Sequence, residues 1–210
     1  MSTLNFLIPD GDAIARSPME REAMTAGATM EVRDGWNIAT SFDGQEPRLR
    51  DTVGFADMSH LTKLEVNGRH DLELGFAERR DGAWWCPVTR DRALVICEPR
   101  AKPSIDSAIE MTTSYAAMTI AGPLAREVFA RFCALDLRPQ SCPPRAFRPG
   151  SVARTPGYVL RENGDRFLML FGWALGRYVW EQVYDAVSHL GGGPVGVDAL
   201  APLEEELAHA

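Results

Sequence analysis

The sequence has no apolar run long enough to cross a membrane. Its most apolar stretch, residues 167–175, is interrupted by Gly172, whereas a spanning helix needs about 20 apolar residues. Residues 1–10 carry no basic region, no long apolar core and no A-x-A cleavage site. The sequence therefore predicts no secretory signal and a cytoplasmic location. Cysteine is scarce: Cys86, Cys97, Cys133 and Cys142 form no C-x-x-C pair, and no histidine stands at finger-like spacing from them. That argues against a disulfide scaffold and a zinc site and predicts free, buried thiols. The four histidines, His60, His70, His189 and His209, never pair at the short spacing of metal ligands. No serine lies in a G-x-S-x-G elbow. Basic residues are outnumbered, 22 against 29 acidic, for a net charge of -7, which argues against a general nucleic-acid binder.

What is present is an ordinary globular composition, 45% hydrophobic and 24% charged over 210 residues. A chain this long buries roughly 70% of its unfolded surface and forms one domain or two small ones.

The second half shows the clearer pattern. Residues 114–121 read as a strand. Gly122-Pro123 then opens a helix whose Leu124, Val128, Phe129 and Phe132 face a core. Residues 138–154 hold Pro139, Pro143, Pro144 and Pro149, four arginines and no acid, which predicts a long irregular basic loop. Residues 151–160 read as a strand, Asn163-Gly164 as a hairpin turn, residues 167–171 as the return strand, and 176–190 as a helix stopped by Gly191-Gly192-Gly193. Residues 195–200 suit a last short strand. The order is βαββα(β). In the first half, Ser17-Pro18 opens a helix ending near Gly27, and residues 28–42 form a hairpin turning at Asp34-Gly35. Residues 61–66 alternate as a half-buried strand, and 93–97 form a fully apolar one. The class is α+β.

Few residues invite chemistry. Cys86 has no neighbouring cation in sequence to lower its pKa and reads as structural. His189 lies at a helix C-terminus, where positive charge suits the dipole. His60, within Asp57-Met58-Ser59-His60, lies near other polar groups and either caps, packs or touches a ligand. The glycine-rich 191–196 follows a helix, the wrong order for a phosphate cradle. Glu204-Glu205-Glu206 read as a solvated helix face or tail. Two features point outward. Trp84 and Trp85 are adjacent in a strand and face opposite sides, so a second layer or a partner subunit covers one of them. Arg138, Arg145, Arg148 and Arg154 either are solvated or meet an acidic partner surface.

An ordered set of segments resembles the glycine-cleavage T-protein family. Ser17-Pro18, Ala26-Gly27-Ala28, Asp34-Gly35-Trp36 and residues 53–68 (VGFADMSHLTKLEVNG) match its opening, approximately V-G-L-x-D-x-S-x-x-G-K-x-x-V-x-G. Residues 120–125 (IAGPLA), 154–158 (RTPGY), 178–186 (YVWEQVYDA) and 194–200 (PVGVDAL) match later blocks in order. The resemblance implies two ferredoxin-like βαββα(β) units, 1–104 and 105–210, packed as one body, similar to the folate-binding part of T-protein without its C-terminal barrel.

The departures are chemical. Residues 82–92 lack the family's paired aspartates, and Asp91 abuts arginines. Tyr158 is followed by Val159-Leu160-Arg161 where the family places a pterin-binding glutamate. Leu200 stands where the family has arginine. A shortened, chemically depleted chain of this kind is similar to the gamma subunits of heterotetrameric sarcosine oxidases. That resemblance implies an accessory chain with no catalytic, cofactor-binding or metal residues of its own. FAD, FMN, NAD and tetrahydrofolate would sit on partner subunits: larger flavin-bearing alpha and beta chains and a small zinc-binding delta chain. Trp84, Trp85, Arg145, Arg148 and Arg154 become the expected interface. The alternatives are a stand-alone, shortened tetrahydrofolate-dependent aminomethyl- or methyltransferase, or an accessory subunit of another N-methyl amine demethylase.

Overall fold

The computed structural model describes residues 13–200; Glu204-Glu205-Glu206 and His209 lie outside them. The chain runs β1 (Ala15–Arg16), α1 (Glu20–Thr25), β2 (Thr29–Arg33), β3 (Trp36–Ser41), α2 (Gln45–Asp51), β4 (Gly54–Asp57), β5 (Thr62–Asn67), β6 (Glu78–Arg80), β7 (Ala83–Thr89) and β8 (Arg92–Cys97). It continues through β9 (Ile109–Glu110), β10 (Tyr115–Ala121), α3 (Ala125–Phe132), β11 (Phe147–Val152), β12 (Thr155–Asn163), β13 (Arg166–Gly172), α4 (Gly176–Ser188) and β14 (Gly193–Pro194). The class is mixed α+β, as the sequence suggests, and no sheet closes into a barrel among the described residues.

Three sheets form: β1-β3-β2, β11-β12-β13-β10-β4-β14 and β6-β7-β8-β5-β9. The six-stranded sheet is the middle layer, and the alternation of its strands shows why. On β13, Phe167, Met169 and Phe171 point to a core shared with Val128 and Phe129 of α3 and with Val179, Trp180, Val183 and Val187 of α4. Leu168 and Leu170 point the other way, into a second core with Trp84, Cys86, Leu94 and Ile96 of the five-stranded sheet. Side chains of period two can serve two cores only if both faces are covered. Phe55 of β4 meets Trp180 of α4 edge-on, with ring centroids 4.8 Å apart, a favoured aromatic geometry.

The five-stranded sheet is covered on its outer face as well. Leu64, Ala83, Val95 and Cys97 form a third cluster there, with Trp85 and with Ala101, Ile105 and Ala108 of the following segment. Strands from the two sides of residue 104 share sheets. β4 lies between β10 and β14, and β9 lies beside β5.

Three local expectations change. The strand expected over 151–160 is broken by a hairpin turn at Ala153 and Arg154, which separates the end of β11 from the start of β12. The basic stretch 138–154 is not wholly irregular: β11 occupies its second half and pairs with β12, with Pro149 opposite Tyr158. β11 is the edge of its sheet, where a proline costs no ladder hydrogen bond if its nitrogen side faces outward. Residues 195–200 do not form a strand. Pairing stops at Pro194, and Val197–Ala199 forms a 3-10 turn. Gly196 explains the change: a Cβ there would sit 1.9 Å from the Thr40 carbonyl oxygen. The chain is pressed against β3 at a point only glycine permits.

Candidate functional site: the cleft between the two large sheets

The space between the six- and five-stranded sheets contains a cluster of buried polar groups. On β12, Tyr158, Leu160 and Glu162 share the face toward the five-stranded sheet, by the period of a strand. Glu162 is buried there. Its Oε1 accepts from Trp84 Nε1 at 3.2 Å, and its Oε2 accepts from Arg166 Nε at 2.8 Å. Arg166 Nη1 also donates to the Leu200 carbonyl at 3.0 Å. The Arg79 guanidinium lies 5.4 Å from the Trp84 ring centroid, within cation–π range. Thr119 adds a buried hydroxyl with no hydrogen-bond partner among the described residues.

These groups line a cavity of about 40 Å³, completed by Met58, Ile96, Cys97 and Glu98 among others. Small-molecule sites run to roughly 300–1,000 Å³, so this one has room for a few waters. Trp84 is the plug. It is 6% exposed, and its indole takes up one oxygen of Glu162 while Arg166 takes the other. The carboxylate that could have paired with a ligand is already paired. Burial, with the Glu162 charge added, pushes the Cys86 thiol far up, so it offers no thiolate to the cleft. Asp91 is exposed at the β7–β8 turn, where it accepts from Thr89 Oγ1 at 2.7 Å, and is not among the cavity-lining residues.

A second polar cluster sits where β4 ends. Asp57 accepts from Ser17 Oγ and, at 2.9 Å, from the Ser59 amide. Ser17 Oγ also accepts from the Met19 amide at 3.0 Å, which fixes the approach to α1. His60 Nε2 lies 3.7 Å from Glu98 Oε2. Lys63 is fully buried, and its Nζ donates to the Ser59 carbonyl at 2.7 Å. Burial lowers its pKa to about 7, although the Asp57 and Glu110 carboxylates pull the other way. The cavity beside Asp57 and His60 is only about 10 Å³. Ser17 is bonded to Asp57, not to His60, so no nucleophile–base pair forms.

The expected interface residues are dispersed. Trp84 faces the inter-sheet core. Trp85 is half-buried on the opposite face and lies 5.8 Å from the Arg80 guanidinium. Arg148 turns inward: it donates to the Gly75 carbonyl and, at 3.1 Å, to the Ser141 carbonyl, and lies 5.5 Å from the Phe76 ring centroid. Arg145 and Arg154 are exposed, both at positive φ. Among the described residues no three His, Cys, Asp or Glu side chains are placed to share a metal ion, and no helix is long and apolar enough to cross a membrane. His189 Nδ1 lies 2.7 Å from the Asp185 carbonyl at the end of α4. Glu162, Arg166 and Lys63 were passed over in sequence. Glu162 was legible, because it continues the Tyr158, Leu160 alternation.

The architecture has relatives. No family model matches the chain. Among curated proteins it is similar to an aminomethyltransferase of Parafrankia sp. (strain EAN1pec), 23% identical over a gapped alignment of 239 positions that covers 93% of this chain and 64% of that protein. Among solved structures, the glycine cleavage system aminomethyltransferase T of Bartonella henselae superposes with a TM-score of 0.70 at 14% identity. The match covers 89% of this chain and 61% of that one. The chain carries the T-protein fold. A chain of the heterotetrameric sarcosine oxidase of Corynebacterium sp. U-96 superposes with a TM-score of 0.64 at 15% identity. There the cover is 85% of this chain and 97% of the other. The present chain therefore spans less than two thirds of either aminomethyltransferase but nearly the whole of the oxidase chain.

Proposed function

We propose that this chain is an accessory, non-catalytic subunit, of the gamma type, in a heterotetrameric sarcosine oxidase. The observation that carries the reading is the cleft: its volume of about 40 Å³ is too small for a pterin or an amino acid, because Trp84 fills it. The near end-to-end match to a sarcosine oxidase chain supports the same reading. In this proposal the oxidative demethylation of sarcosine and the transfer of its one-carbon unit to tetrahydrofolate belong to partner chains. FAD, FMN and NAD would lie on flavin-bearing alpha and beta subunits, beside a small zinc-binding delta subunit. The present chain would contribute a rigid three-layer body and its outer surfaces. The same surfaces would serve a complex acting on another N-methyl amine, since the substrate would be held elsewhere.

The second reading is a stand-alone, shortened aminomethyltransferase using tetrahydrofolate, favoured by the curated relative's name. One experiment separates the two. The tagged chain is purified from its native host and the product's visible spectrum recorded. A yellow complex with larger flavin-bearing chains supports the accessory reading. A colourless monomer whose tryptophan fluorescence is quenched by micromolar tetrahydrofolate overturns it in favour of the transferase.

A further inference from the structure

The β11–β12 hairpin turns through two residues, Ala153 and Arg154, with φ of 47° and 62°. Two-residue hairpin turns with both φ positive are normally built from Asn, Asp and Gly. Here a β-carbon is carried at both positions, in a backbone conformation that side chains disfavour. The surrounding structure holds the turn in place: the Ala153 amide donates to the Phe132 carbonyl at 3.0 Å, and Cys133 bridges Val152 at the end of α3. The result is that Arg154 is fixed at the mouth of a groove of about 280 Å³ between α3, α4 and the hairpin.

The groove is cationic. Arg131, from the last turn of α3, and Arg154 both line it, with Tyr178 and Gln182 of α4. All four side chains are exposed, and none has a hydrogen-bond or ion-pair partner among the described residues. No lining residue is acidic. Some other surface guanidiniums are held in ion pairs, Arg33 with Asp198, Arg138 with Asp136 and Arg177 with Glu181, whereas Arg131 and Arg154 share this groove without a carboxylate. In a chain of net charge -7, an acidic approaching surface is repelled overall and drawn in at this groove, which fixes its orientation.

We propose that the α3–α4–hairpin groove is a docking site for an acidic peptide segment of a partner chain, with carboxylates on Arg131 and Arg154 and further hydrogen bonds from Tyr178 and Gln182. This deepens the accessory-subunit reading and rests on it for the existence of a partner chain. The groove is open and shallow, whereas small-molecule sites enclose most of their ligand; that favours a peptide over a free small anion.

The test uses the isolated full chain and a fluorescein-labelled decaglutamate peptide, read by anisotropy. Wild-type chain is expected to bind, with binding lost in 1 M salt, where the screening length falls to about 3 Å. Arg131→Ala with Arg154→Ala should bind about tenfold more weakly, the effect of two exposed ion pairs. Both side chains are exposed, so the variant should melt as wild type does. An Arg90→Ala variant at the distant β7–β8 turn should bind as wild type. No binding by wild type, or equal binding by the double variant, overturns the proposal. So does displacement of the peptide by inorganic phosphate at the same concentration of charge, which would make the groove a small-anion site. The result is independent of whether flavin-bearing chains co-purify, so failure of the groove and failure of the accessory reading are distinguishable.

Discussion

Trp84 and Glu162 join the two large sheets: the indole Nε1 of β7 donates to the carboxylate of β12 at 3.2 Å. The same bond ties the middle layer to the outer sheet and removes an oxygen of Glu162 from the cleft. Trp84→Phe should keep the ring and leave that oxygen without its donor, costing about 1–3 kcal/mol. Trp84→Ala should cost about 3–5 kcal/mol by loss of packing. Urea unfolding of both variants checks the order; equal loss in the two would show that the packing contributes nothing, and a Trp84→Phe variant as stable as wild type would show the same of the hydrogen bond.

Lys63 makes stability depend on pH. Its folded value lies near 7 against 10.5 unfolded. Between those values the unfolded chain holds a proton that the folded chain lacks, so this group makes stability rise with pH across that window. The slope is at most about 1.4 kcal/mol per pH unit, and below pH 7 the contribution is flat. Lys63→Met should remove that slope. Urea midpoints at pH 7.5, 8.5 and 9.5 measure it, and an unchanged slope in the variant would assign the dependence to other groups.

Arg148 staples the segment before β6 to the one before β11 through the Gly75 and Ser141 carbonyls. Arg148→Ala should therefore lower stability by about 1–3 kcal/mol. Thermal unfolding checks it. A variant that melts as wild type yet loses its partners would instead place Arg148 at an interface.

The thiols should be inert in the folded chain. Burial raises Cys86, Cys133 and Cys142, and raises Cys97 to about 11. At pH 8 an aromatic disulfide reagent should react slowly, first at half-buried Cys133, and with four equivalents at once in denaturant. A fast thiol in native protein would contradict the burial.

Gly196→Ala should be severe. The new Cβ would meet the Thr40 carbonyl oxygen at 1.9 Å, backbone against backbone. A loss beyond about 3 kcal/mol, or failure to accumulate folded protein, is expected. Gly172→Ala, whose new Cβ would meet Leu175 Cδ1 at an ordinary 3.7 Å, is the mild control.

Much of the architecture was legible because strand and helix periods are local. The hairpin at Asp34-Gly35, the apolar β8 and the α4 stripe of Val179, Val183 and Val187 follow from spacing alone. β11 was hidden by Pro149, whose tolerance depends on being at a sheet edge. Lys63 was hidden for a different reason. Its alternation with Leu61 and Glu65 reads as a solvated face, and burial comes from the six-stranded sheet laid across it. The cleft was half legible. The absence of a carboxylate next to Tyr158 was plain, but Glu162 reaches the same cleft from four positions on, and its partners Trp84 and Arg166 are distant in sequence.

The position of β4 has a consequence for biosynthesis. Phe55 pairs with Ile120 on one side and with Pro194 on the other. The middle layer cannot be completed until almost the whole described chain has left the ribosome, so its early strands wait with unpaired edges. Those edges are aggregation-prone during translation. Expression should therefore respond more to translation rate and to holdase chaperones than the stability of the finished fold would suggest.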